Sequence, residues 1–143
     1  MNDPTADLLA QVLVDLAGPD PERRWHAAEG LGLLGSEAIH KAAPQLLERL
    51  DDPSMRVRVS AATTLLKASP IPLEFLPFIL NGLLSVRPVT RAWCCSLLGE
   101  SGTRHPSVLS ALKVLATDDP DEEVRSRAWM ALGQLVGTEP RAD

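Results

Sequence analysis

The sequence predicts an all-α fold, a solenoid of stacked helix pairs, and three observations carry that expectation. An arginine recurs as Arg24, Arg58, Arg91 and Arg125, at spacings of 34, 33 and 34 residues. Small and aliphatic residues recur around it in fixed columns: Ala27, Ala61, Cys94 and Ala128 three residues on, Leu31, Leu65, Leu98 and Leu132 seven residues on. Apolar positions repeat every three to four residues and never every two, the period of a helix face and not of a strand. A fixed period of about 20–50 residues marks an array whose units bury their apolar faces on one another.

The elements follow in order. A first helix is expected over Asp7–Ala17, with Leu9, Val12, Leu13 and Leu16 on one stripe. Gly18-Pro19-Asp20-Pro21 breaks it and starts the next helix, because aspartate caps free N–H groups and proline fits the first turn. That second helix carries Arg24, Ala27 and Leu31 and stops at Gly35. The second unit repeats the pattern with Ala43, Leu46 and Leu50, the turn Asp51-Asp52-Pro53, and a helix with Val57, Ala61, Leu65 and Ala68 on one face. In the third, Leu76, Ile79 and Leu83 precede Ser85-Val86-Arg87-Pro88, a turn with proline but no aspartate. The fourth has Leu109, Leu112 and Ala116, then Asp118-Asp119-Pro120 and a last helix over Asp121–Val136. The repeats thus fall at about 5–35, 36–69, 71–102 and 104–137 of one domain spanning 1–143, with a tail at 138–143.

Composition narrows the function classes. Hydrophobic residues make up 45% and charged residues 23%, a globular balance. Aromatic residues are 3% with no tyrosine, so leucine and alanine must build the core. The formal net charge of −5 argues against a nucleic-acid footprint and against attraction to an anionic membrane. The N-terminus lacks a basic segment followed by an apolar run, and no apolar stretch is long enough to span a bilayer. Cys94 and Cys95 are adjacent and close no loop, so a reducing cytoplasm is the expected compartment.

The columns resemble HEAT repeats, in particular the short bacterial kind also found in phycobilin-lyase subunits. The family pattern is aspartate-proline, valine-arginine, an alanine pair, then leucine-glycine before a closing glycine. DDPDEEVRSRAWMALGQLVG in the fourth unit matches it best, and DPERRWHAAEGLGLLG in the first matches with Arg23 in place of valine. The second unit, DDPSMRVRVSAATTLL, loses both glycines, and the third, TRAWCCSLLGESG, lacks the aspartate. The resemblance covers about residues 6–137. It implies a right-handed α-α superhelix of four helix pairs, with the second helix of each pair lining a concave side. It also implies a structural ladder of Arg24, Arg58, Arg91 and Arg125, paired with loop aspartates such as Asp20, Asp52 and Asp119 of their own or the next unit.

A helical wheel counted from each arginine separates the faces. Positions −1, 3, 7 and 10 hold the Val/Ala/Leu columns. Positions −2, 1, 2, 5 and 9 lie opposite and present Trp25, His26, Glu29, Arg56, Trp93, Arg127 and Met130, among others. Trp, Met and Arg are typical interface anchors, so these seven are the candidate partner-binding residues. Trp129, four residues after its arginine, falls nearer the core side and is expected to pack there.

The residues that carry chemistry are scattered. His26, His40 and His105 lie in different units, and no Cys-x-x-Cys or HExxH occurs, so no metal is expected. No nucleophile elbow, P-loop or dinucleotide fingerprint is present, and no cofactor or catalytic residue is assigned. Gly30–Gly32 lies inside a helix and reads as packing, as do the two cysteines in the alanine columns. The leading function is therefore a non-catalytic scaffold that binds a segment of a partner protein on the concave face. A bilin lyase-like subunit handling a tetrapyrrole is the alternative that the resemblance supplies. Nucleic-acid binding ranks third, because the face sets Arg56, Lys67 and Arg127 against Glu22, Glu29, Glu100 and Glu123. The end helices are as apolar as the inner ones, which leaves homo-oligomerisation through the end repeats open.

Overall fold

The computed structural model describes residues 4–137, and among them every regular element is helical. The tail expected at 138–143 lies outside the described residues. The chain divides into two compact units, Met1–Ile71 and Pro72–Asp143. No helix is long and apolar enough among the described residues to cross a membrane.

Unit 1 begins with α1 (Pro4–Leu16), which packs against α2 (Pro21–Leu34). Asp20 caps α2 by accepting from the Glu22 amide at 2.9 Å. Gly35 ends it at φ 100°, a left-handed conformation that a side chain would strain. The next stretch splits into α3 (Ser36–Lys41) and α4 (Ala43–Arg49). Pro44 lies in the first turn of α4 and has no N–H to continue the helix from α3. The unit closes with α5 (Met55–Lys67), capped by Ser54 and packed on both α4 and α2.

Unit 2 shows the same proline effect. A 3-10 turn at Leu73–Phe75 leads into α6 (Leu76–Gly82), with Pro77 in its first turn. Pro44 and Pro77 occupy matching columns, whereas Ala10 and Ser110 stand there in the unbroken helices. The expected uninterrupted first helices therefore hold for α1 and for α8 (Pro106–Asp118), and fail where proline occupies this column. The remaining helices are α7 (Pro88–Ser101) and α9 (Glu122–Val136), which pack on each other, with α6 against α7 and α8 against α9. Arg104 reaches back to the end of α9 and donates to the Leu135 carbonyl at 2.9 Å, supplying a partner for a carbonyl the helix leaves open.

The core is aliphatic and small, as the composition requires. The columns three and seven residues after each arginine are all buried, and so is the column before it except at exposed Arg23. Cys94 and Cys95 are fully inside. Two glycines admit close approach in unit 2: a Cβ on Gly82 would collide with the Cys94 thiol, and one on Gly99 would lie 3.0 Å from the Ala131 Cα. Gly30, by contrast, has nothing within 4 Å of that position.

Helical glycines at these sites should respond with opposite signs. Gly30→Ala should raise the unfolding free energy by up to about 1 kcal/mol through lost backbone entropy. Gly99→Ala should lower it by roughly 1–3 kcal/mol through overpacking against α9. Urea denaturation of both variants reads the two signs directly.

Candidate interaction face and its buried scaffold

The four anchor arginines share one local bond. In each, Nη1 donates to the carbonyl six residues earlier: Arg24 to Gly18 at 2.9 Å, Arg58 to Asp52 at 2.6 Å, Arg91 to Ser85 at 2.8 Å and Arg125 to Asp119 at 2.7 Å. Each side chain thus ties its helix to the turn that starts it. Two of them add a forked contact to the next turn along. Arg24 donates from Nε to Asp52 Oδ2 at 2.8 Å and from Nη2 to Oδ1 at 3.1 Å. Arg91 repeats this on Asp119 at 2.9 and 3.0 Å. The planar guanidinium matches both carboxylate oxygens, which a lysine ammonium cannot do.

Both aspartates are buried and do further work in their own turns. Asp52 Oδ1 accepts from the Ser54 amide at 2.9 Å, and Asp119 Oδ1 from the Asp121 amide at 2.9 Å. Arg49 adds a second cation on Asp52 at 3.1 Å, a partner that the repeat columns do not disclose. Burial alone opposes a charge on Asp52. The Arg24 and Ser54 bonds and the Arg24 and Arg49 charges outweigh it and hold its carboxyl below the usual range. Asp119 is held low in the same way, burial being outweighed by Arg91, the Asp121 amide and Arg125.

Asp20 and Ser85 depart from this scheme. Counted from the anchors, the position of Asp52 and Asp119 is taken by Gly18 before α2 and by Ser85 before α7. Asp20, grouped with the ladder by the sequence reading, stands two residues further on and caps α2 instead. Ser85 keeps the turn bond, its hydroxyl accepting from the Arg87 amide at 3.0 Å, but brings no carboxylate. Arg58 Nε is buried with no hydrogen-bond partner among the described residues.

The candidate partner-binding residues stand on this scaffold. In unit 1, Trp25 is half-buried on α2 and His26 and Glu29 are exposed beside it. The exposed Arg56 guanidinium, from the start of α5, lies 3.8 Å from the centroid of the Trp25 ring. In unit 2, Trp93 of α7 is half-buried and the Arg127 guanidinium of α9 lies 5.9 Å from its centroid. Arg127 also donates to Glu123 at 2.7 Å and to Ser96 Oγ at 3.2 Å. Trp93 Nε1 is buried without a hydrogen-bond partner among the described residues. Met130 is 61% exposed.

Besides Arg23, three positions differ from the wheel. Ser60 and Ala92, placed on the outward face, are buried. Ser60 Oγ donates to Glu29 at 2.6 Å, so neighbouring helices cover part of that face. Trp129, placed toward the core, is 64% exposed. Its column is buried in the other second helices, at Ala28, Ala62 and Cys95. A wheel drawn for one helix does not say whether another helix follows it, and among the described residues none follows α9.

The titratable groups outside the ladder serve the fold. His40 Nε2 lies 2.7 Å from the Ala68 carbonyl, and His105 Nδ1 accepts from the Ser107 amide at the start of α8. Burial, with a contribution from the Asp119 carboxylate, pushes the Cys95 thiol up to about 12 against the pull of Arg91 and Arg127. Such a thiol stays protonated at neutral pH and packs as a small apolar group. No His/Cys/Asp/Glu group suited to a metal ion occurs among the described residues.

Helix pairs stacked through their second helices, with a recurrent arginine–aspartate link, define a protein of the α-helical repeat class. The particular family is HEAT repeats: its pattern matches residues 6–70 and 76–143, nearly the whole chain, and the chain belongs to that family. Comparison with curated proteins finds no match.

The ladder carboxylates make a pH prediction. Their folded pKa lies below the ordinary 3.8, so their stabilisation is complete above that value. It drains as pH falls, because the unfolded chain takes up protons first. Asp52→Asn should cost roughly 3 kcal/mol at pH 7, since it leaves Arg24 buried and unpaired. It should also flatten the loss of stability between about pH 4 and pH 2 relative to the parent protein. Denaturant titrations across that range, with a surface Asp7→Asn control, measure both effects.

Proposed function

We propose that this protein is a non-catalytic scaffold that binds a segment of a partner protein on the exposed faces of its second helices. HEAT repeats commonly mediate protein interactions, and the family's solenoids are generally non-catalytic. The observation that carries the reading is a tryptophan–arginine neighbour pair between the second helices of each unit, set in different columns of the repeat. A half-buried tryptophan on the earlier helix lies near an arginine from the later one, as Trp25 with Arg56 and Trp93 with Arg127.

The physical reason is the economy of such a pair. A tryptophan already held by its neighbours loses little side-chain freedom on binding and offers a large apolar surface. An arginine over its face presents planar donors to a carboxylate or backbone carbonyl of the partner. Tryptophan and arginine are the residues most often found to dominate interface energies. His26, Glu29 and Met130 form the adjoining rim in this reading. Beside Trp25, a depression of about 230 Å³ is lined by Pro21, Glu22, Trp25, Ser54 and Arg56, with one charge of each sign. That mixture suits a peptide segment with alternating character and disfavours a phosphate backbone. The same reading places the protein in the cytoplasm, supported by two thiols kept as buried packing groups.

Affinity capture with quantitative mass spectrometry tests the proposal. The parent chain should retain a defined partner, and Trp25→Ala, Trp93→Ala and Arg127→Glu should each weaken its retention by about tenfold or more. Far-UV circular dichroism should be unchanged in all three. A capture profile identical for parent and variants would move the binding site off these faces.

A further inference from the structure

The second helices meet by one rule within each unit. Counting from the anchor arginine, the earlier helix offers positions 4, 5 and 8, and the later helix answers with 2, 6 and 9. In unit 1, Thr64 Oγ1 donates to the Ala28 carbonyl at 3.1 Å and Ser60 Oγ to Glu29 at 2.6 Å. Lys67 lies over Gly32, its Nζ 3.3 Å from where a Cβ would stand. In unit 2, Arg127 Nη1 donates to Ser96 Oγ at 3.2 Å, and Ala131 and Gln134 lie over Gly99.

Among the described residues, each face also exists in an uncovered copy. On α9 the offering positions are Trp129, Met130 and Gly133, and with Gln134 and Gly137 they line a cavity of about 660 Å³. On α2 the answering positions are His26, Gly30 and Leu33. His26 is exposed, Gly30 has open space around it, and Leu33 is 89% exposed. A leucine so exposed on a well-formed helix has no role in the packing of its own unit.

The two uncovered faces are matched in size. Position 4 is Ala28 or Cys95 in the pairings within the chain, and position 6 is Thr64 or Ala131. If α2 were laid on α9 by the same rule, Trp129 would stand opposite Gly30. The bulk added on one face is removed from the other. Leu33 would cover Gly133 as Lys67 covers Gly32 and Gln134 covers Gly99. Met130 would meet the edge of His26.

We propose that a second copy of this chain docks head to tail, with α2 of one copy seated on α9 of the other. The contact is heterologous, because its two sides are different surfaces of the same molecule. Its apolar centre is Leu33, Met130 and the Trp129 ring, and the in-chain helix pairs supply its geometry. The docking does not use the Trp25 and Trp93 pairs but shares His26 and Met130 with the rim of the partner-binding reading. Its test reads the mass of the purified chain with no partner present, so the two can fail separately.

Light scattering after size exclusion, over a concentration series, tests it with the intact chain. The average mass should rise above the monomer's 15.4 kDa as concentration increases. Leu33→Glu and Met130→Glu each spoil one end only, and each alone should stay at the monomer mass. An equimolar mixture of the two variants joins one intact α2 face to one intact α9 face. It should form a species of twice the monomer mass and nothing larger. Both residues are exposed, and circular dichroism verifies that the variants fold. A parent chain that remains at 15.4 kDa up to millimolar concentration would overturn the proposal. So would a mixture that stays monomeric, and so would continued association of Leu33→Glu alone, which would mean that α9 meets α9.

Discussion

The forked bond from a buried arginine to the carboxylate of the next turn is the contact on which the rest of each unit depends. Removing both charges from water is costly, and a salt bridge in such a place adds stability only if its remaining polar atoms are also satisfied. Here they are. Arg24 and Arg91 spend their third donor on the turn behind them, and Asp52 and Asp119 spend their free acceptor capacity on the amide ahead. One side chain therefore fixes three things together: the start of its own helix, the turn of the neighbouring pair, and the distance between the two second helices. Where Ser85 stands in place of the aspartate, the turn before α7 has no carboxylate.

Close packing of the second helices depends on small residues at the positions the ladder brings together. Ala28, Cys95 and Gly99 leave room for the backbone of the following helix, and the leucine column seven residues after each arginine fills the space behind. Aromatic residues are excluded from this layer because they would hold the helices apart. That is why the few tryptophans sit at its edges. Trp25 and Trp93 cover the seam between two helices, while Trp129 lies on a helix with no successor among the described residues. The same indole group is thus half-buried at a seam or exposed on a face, according to what comes next in the stack.

This arrangement separates the duties of charge. The anchor arginines tie each second helix to its turn and, at Arg24 and Arg91, to the carboxylate of the next turn. Arg56 is exposed beside Trp25, and the half-buried Arg127, near Trp93, donates to Glu123 and Ser96. A reading that treated all the arginines as one basic row would have pointed to phosphate. Their hydrogen bonds show that the regular set is internal and that the irregular set faces outward.

The helical class, the repeat period, the anchor arginines and the leucine and small-residue columns were all determined by the sequence alone, because each is a periodic demand of local geometry. The split of α3 from α4 and the 3-10 entry to α6 were legible too, in Pro44 and Pro77, but the recurrence of apolar columns masked them. Other features were decided only by the tertiary structure. Asp52 and Asp119 hold the forked contacts whereas Asp20 is a cap, although all three are aspartates in turns. Ser60 is buried and Trp129 exposed, against the wheel in both cases. The physical reason is common to all of these. A helix face is apolar or polar by its own sequence, but whether it is covered depends on the residue that another helix brings to it, and that residue lies a whole repeat away.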